Sequence, residues 1–222
     1  MYKSLAYKEW LKLRWVALVA LGLEVIALIA IFSNLRAAVE FNSAFDIWNV
    51  VVYKSYMFFG LIKFVPIFIG LLIGVFQYLP EILDMKLKLT LHLPLKENNV
   101  FIFLNMFGTL ILLGLFLPVV LILIIGSNLV FPAEITSATI LTIIPWFLAA
   151  FISYYFIAAI MIEPLWTRRL LISIVAFILV TPLLLGTGYG VYKLVLLPLF
   201  ILVLSYTGLH ILSGLRFKRG AK

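Results

Sequence analysis

PEILDMKLKLTLHLPLK, residues 80–96, is the one long polar interruption between apolar spans that also carries clustered basic charge. Its reading decides how the rest of the chain is arranged. From Met85 onward apolar and polar residues alternate strictly, with Met85, Leu87, Leu89, Leu91 and Leu93 set against Lys86, Lys88, Thr90 and His92. Period two argues a strand. A lone strand beside a bilayer has no sheet to join, however, and its backbone groups would go unpaired. Ile82, Met85, Leu89 and Leu93 also fit a helical stripe. Pro80 with Glu81 and Asp84 makes a helix start with acids in the first turn, and Pro94 supplies the stop. The stretch reads as a short amphipathic helix on the cytoplasmic face of a membrane.

The flanks establish that membrane. Of 222 residues, 65% are hydrophobic and 12% charged, with a mean hydropathy of +1.23. Soluble domains are about half apolar, so this composition places the chain among membrane proteins. Spans are read at 15–32, 57–79, 100–125, 138–162, 169–186 and 191–213. The first, at about 18 residues, exceeds a secretory signal core and is read as a retained helix. Before it, residues 1–14 plot as an interfacial helix with Tyr2, Leu5, Ala6, Trp10 and Leu13 on one side. Lys8 and Lys12 flank that face, where their stems can snorkel toward headgroups. Glu9 falls in the middle of it. Residues 33–56 form a loop along the membrane surface. Pro66, Pro118, Pro145, Pro182 and Pro198 fall inside spans and mark candidate kinks. The expected fold class is an all-α membrane protein of six transmembrane helices in one domain, 1–222.

The net charge of +8 belongs to the loops and does not call for nucleic acid. Thirteen of the 17 basic residues fall on one side, in 1–14, 80–99, 163–169 and the tail after 213. Arg36, Lys54 and Lys193 fall on the other, and Lys63 falls inside a span. The positive-inside rule then puts both termini in the cytoplasm.

Two ionisable groups are expected within the membrane, Glu24 in the first span and Lys63 in the second. Each costs about 2.5–3.5 kcal/mol or more at the bilayer centre, so a partner is needed. Their similar depth suggests a Glu24–Lys63 pair, either as a structural lock or on a substrate or proton path. Gly70 and Gly74 form a G-x-x-x-G step that lets two helices approach closely, within the subunit or at a dimer seam. Gln77, Asn105, Glu163 and His210 lie near cytoplasmic ends, where local hydrogen bonds suffice.

Much chemistry is missing. There are no cysteines, and no Gly-Lys step for a Walker A loop, no G-x-S-x-G and no H-E-x-x-H. No His/Glu/Asp cluster has metal-site spacing. No catalytic residue, metal ligand or bound cofactor is expected of this chain.

A basic N-terminal helix, six spans with both ends inside, and a loop after the second span running Glu81 … Leu91, Leu93, Pro94, Lys96 together resemble a type 2 ABC exporter permease. The resemblance implies that residues 1–14 are an elbow helix. It also implies that Glu81 to Leu95 is the coupling helix that seats in a groove of a separate ATPase. Glu81, Asp84, Lys86, Lys88, Leu91, Leu93, Pro94 and Lys96 would carry the coupling. The implied partners are two ATP-binding subunits, which hold ATP and Mg, and a second permease copy or sister permease. The implied setting is the bacterial cytoplasmic (inner) membrane. The connection between the last two spans, Gly186 to Lys193, is shorter than the re-entrant helices common in that family. Apolar spans favour a hydrophobic or amphipathic cargo. Two other readings stand beside this one, a proton-coupled secondary transporter with Glu24 as carrier and a non-transporting membrane assembly subunit.

Overall fold

The structure, a computed structural model, describes residues 2–41, 57–83, 97–186, 188–206, 208 and 213. Six α-helices fill almost all of them: α1 Tyr2–Phe41, α2 Val65–Leu83, α3 Glu97–Val130, α4 Ala133–Ile162, α5 Trp166–Leu185 and α6 Leu196–Tyr206. Short 3-10 turns, Gly60–Lys63 and Lys193–Val195, lead into α2 and α6. The described residues contain no strand. The first five helices are long and apolar enough to cross a membrane, as a multi-pass membrane protein requires. Within the sixth expected span, 191–213, α6 covers Leu196–Tyr206, and Ser213 is also helical.

α4 is the axis of the bundle. In its most apolar stretch 78% is buried, against 6% in α5. It packs most extensively on α2, then on α5, α3 and α6, while α1 lies across α2 and α3. Its buried surface includes Trp146, Phe147, Phe151, Tyr154, Tyr155 and Phe156, with alanines at 149, 150, 158 and 159. Small residues admit close neighbours, and the aromatics fill what remains between them.

The tight hairpins at either end of α4 follow from two prolines. Phe131 donates its N–H to the Ser127 carbonyl at 2.8 Å, closing α3. Pro132 then bars the chain from continuing as helix, because it disfavours helical geometry in the residue before it. At the far end Glu163 is extended (ψ 125°) ahead of Pro164. Its N–H still bonds the Ala159 carbonyl at 3.0 Å, while Arg169 Nε donates to its carbonyl at 2.6 Å. Among the other prolines, Pro66 and Pro198 fall in the first turns of α2 and α6, where the missing N–H is harmless. Pro118, Pro145 and Pro182 lie inside their helices.

Three expectations are corrected here. There is no separate elbow, because α1 runs unbroken for 40 residues from Tyr2. Nothing near Leu13, Arg14 or Trp15 breaks a helix, and Leu13 is fully buried in the same core as Ala20 and Leu28. The first connection begins later than expected, since 33–41 belong to α1. Pro80 does not open a new helix. It sits inside α2, which continues to Leu83. The remainder of the expected coupling helix, including Asp84, Lys86, Lys88, Leu91, Leu93, Pro94 and Lys96, lies outside the described residues.

The G-x-x-x-G step packs within the chain. A β-carbon on Gly70 would collide with the Ala150 carbonyl, and one on Gly74 would lie 2.9 Å from Ile157 Cγ2, both on α4. These two positions therefore set the α2–α4 seam.

Candidate functional site

The start of α1, the end of α2, the first half of α3 and the end of α4 meet at the Lys/Arg-rich end of the bundle. Between them lies a polar cluster in an otherwise apolar molecule. Its members follow helical spacing. Lys8 and Lys12 stand one turn apart on α1, Gln77 and Glu81 one turn apart on α2, and each pair therefore forms a ladder on one face. Glu9 shares the buried stripe of α1 with Leu5 and Leu13. Leu5 packs on Val100 and Leu104 of α3, which presses this end of α1 against the bundle.

The charges are closely matched. Glu9 and Glu81 are 0% and 1% exposed. Lys12 Nζ lies 2.6 Å from Glu9 Oε1 and 2.9 Å from Glu81 Oε1, and donates to the Gln77 carbonyl at 3.2 Å. Of the three N–H donors of an ammonium, two hydrogen-bond the Gln77 carbonyl and Glu81 Oε1, while Glu9 Oε1 lies alongside as an ion-pair partner. Lys8 Nζ reaches Glu81 Oε1 at 2.7 Å from a more exposed position. Two carboxyl groups thus face two lysine amines, a balanced set in formal charge. Buried charge is tolerated on these terms, when pairing and hydrogen bonds together offset desolvation.

Gln77 joins the charges to the rest of the bundle. Its amide N–H groups donate to Glu9 Oε2 at 3.2 Å and to the Leu104 carbonyl at 2.8 Å. Its Oε1 accepts from the Tyr154 hydroxyl at 2.8 Å. One side chain therefore ties α1, α2, α3 and α4 together. Gly108 on α3 makes the space for this, since a β-carbon there would fall on the Tyr154 hydroxyl and on Gln77 Oε1. Beside it the Thr109 hydroxyl donates to the Asn105 carbonyl at 2.8 Å and pairs with the Tyr155 hydroxyl at 3.1 Å.

Of the residues singled out from sequence for coupling, Glu81 enters this cluster. It faces α1 and is paired with Lys8 and Lys12. Lys12 likewise turns inward instead of snorkelling and is 14% exposed. Gln77 makes bonds that cross the bundle, not local ones. Sequence reasoning missed Tyr154 and Gly108 entirely.

Glu24 and Lys63 are not brought together. Lys63 lies in the 3-10 turn ahead of α2, with its ammonium 5.8 Å from the centre of the Phe64 ring. Four pairs of oppositely charged side chains meet among the described residues, and neither group belongs to any of them. The regular helix begins only at Val65, which keeps Lys63 at the end opposite the cluster. Glu24 is 5% exposed, and its Oε1 has no hydrogen-bond partner among the described residues.

At that opposite end an aromatic cap closes the bundle. Phe59 lies 5.8 Å from Trp146 and 5.4 Å from Tyr189, and Phe58 stacks on Phe131 at 5.2 Å. The short connection before α6 is pinned there, because Gly190 N–H donates to Thr142 Oγ1 at 2.8 Å. Gly190 has φ +66°, a turn conformation that glycine adopts without strain.

No family model, curated protein or solved structure matches this chain. Among the described residues, no group of three or more His, Cys, Asp or Glu side chains is placed to hold a metal ion.

Proposed function

We propose that the chain is the membrane-spanning permease subunit of an ABC exporter. It would move a hydrophobic or amphipathic substrate across the bacterial cytoplasmic membrane, using ATP hydrolysis in a separate subunit. The observation that supports this reading is the clamp on Glu81. The segment expected to receive the ATPase is tethered directly to α2, two residues beyond Glu81, and Glu81 is held by Lys8 and Lys12 of α1. A push on that segment acts on α1 and α2 as one body, and through Gln77 on α3 and α4. The polar cluster is thus suited to pass a stroke from the Lys/Arg-rich end into the spans. Two ATP-binding subunits and a second permease, identical or related, complete the proposed machine.

Gentle solubilisation of the full chain from its native membrane, followed by a search for a co-purifying ATP-binding subunit, tests the reading. A complex with ATPase activity is the expected product. Scrambling residues 84–96 is expected to release the ATPase while leaving membrane insertion unchanged. An ATPase that never co-purifies, or that stays bound to the scrambled chain, would refute the proposal.

Glu24 favours a second reading, a proton-coupled secondary transporter. A carboxylic group held in apolar helix surroundings without a full set of partners is the feature such a carrier needs. Under that reading, flux in ATP-depleted vesicles follows an imposed pH gradient and is abolished in Glu24→Gln. Flux that stops with ATP depletion excludes it.

A further inference from the structure

A groove of about 650 Å³ runs between α1 and α3 on the outside of the bundle. It lies beside the polar cluster but shares none of its bonds. Its walls are almost wholly apolar, including Leu21 and Phe107, and Gly114 also lines it. At one end stand Trp10, Arg14 and Trp15. The guanidinium of Arg14 lies 5.4 Å from the centre of the Trp15 ring, and Arg14 forms no ion pair among the described residues.

The dimensions and chemistry of the groove specify an occupant. From Trp10 to Leu21 α1 rises about 16 Å, close to half of a hydrocarbon core about 30 Å thick. The groove therefore spans one leaflet, with its cationic and aromatic end where headgroups lie. Tryptophan favours that depth because its ring is apolar and its N–H is polar. An exposed guanidinium without a carboxylate partner complements a phosphate, which it can engage through two parallel N–H donors. Gly114 gives the groove its depth, since a β-carbon there would meet no atom within 4 Å. The glycine is not needed for packing inside the chain, in contrast to Gly70 and Gly108.

We propose that the α1–α3 groove is a binding site for an anionic glycerophospholipid of the leaflet at the Lys/Arg-rich end. One acyl chain lies along Leu21, Phe107 and Gly114, and the phosphate sits on Arg14 between Trp10 and Trp15. The site does not rest on the transport proposal and holds whether or not an ATPase is the partner.

Tryptophan fluorescence of the full chain in phosphatidylcholine vesicles tests this. Dibrominated-chain phosphatidylglycerol or dibrominated-chain phosphatidylcholine is added at equal mole fraction as quencher. Phosphatidylglycerol is expected to quench at about fivefold lower mole fraction, the preference that one basic contact gives. Arg14→Ala is expected to bring the two lipids level, whereas Arg14→Lys retains most of the preference. Gly114→Phe fills the groove and is expected to abolish the saturable part of quenching by both lipids. If Arg14→Ala fails to insert, Gly114→Phe decides alone. Equal quenching by the two lipids in the wild type overturns the proposal, as does a preference that survives Gly114→Phe. Efficient cross-linking between cysteines placed at Leu21 in two copies would assign the groove to a second copy, and overturns it equally.

Discussion

Lys12→Ala is expected to destabilise the protein by about 3–5 kcal/mol, the cost of removing one partner from a buried ionic group. The reason lies in what remains. Glu9 is fully buried, and among the described residues its one salt bridge is to Lys12 at 2.6 Å. Glu81 retains Lys8 at 2.7 Å, so the loss falls mainly on Glu9. Unfolding of the purified chain in mild detergent, followed by heat or by a denaturing detergent, reads the effect. The double variant Glu9→Gln, Lys12→Met separates a lost attraction from an abandoned charge. It deletes both members of the pair and is expected to recover more than half of the deficit, because a neutral amide costs far less to bury than an unpaired charge. A double variant no more stable than Lys12→Ala would show that Glu9 is not what Lys12 compensates.

Gly70→Leu is the second large effect. The β-carbon at this position would collide with the backbone carbonyl of Ala150, which cannot swing aside as a side chain can. The α2–α4 seam, the most extensive helix contact in the chain, has to open for any larger residue. Overpacking of a well-filled core typically costs about 1–3 kcal/mol, and a backbone collision in the principal seam belongs at or above the top of that range. The expected result is a chain that inserts but fails to give a monodisperse peak on size exclusion. Gly22→Leu is the control. A β-carbon at Gly22 meets nothing within 4 Å, so this variant is expected to behave as wild type. Equal behaviour of the two variants would mean that α2 and α4 are not in contact at Gly70.

The membrane class and the five long helices were legible in the sequence because each span falls within or above the length range a bilayer demands. The continuity of α1 was not. A change from mixed to wholly apolar composition at Trp15 looks like a boundary, yet composition changes with depth in any helix that leaves the membrane. Part of the polar cluster had left a trace. Glu9 was out of place on the apolar face of residues 1–14, and its position is explained by Lys12 and Gln77. The one-turn spacings of Lys8 with Lys12 and of Gln77 with Glu81 were also visible. What periodicity cannot supply is which helices pair, because lipid-facing and core-facing sides of a span are both apolar. The Tyr154–Gln77 bond joins residues 77 apart in sequence, and no local pattern announces it. The Glu24–Lys63 pair failed for a similar reason, since depth counted along ideal helices takes no account of the 3-10 turn that holds Lys63 ahead of the start of α2.

The unbroken α1 has a mechanical consequence. At 40 residues it is about 60 Å long, roughly twice the thickness of the hydrocarbon layer. Gripped near one end by Glu81, such a helix works as a lever with a long arm. From Lys12 to Phe41 the arm is about 44 Å, so a rocking of about 5° at the grip sweeps the far tip sideways by about 4 Å. A small displacement at the grip is therefore enlarged toward the opposite end of α1, where Leu28, Ile31 and Leu35, buried in the core, pass it to the helices packed against them.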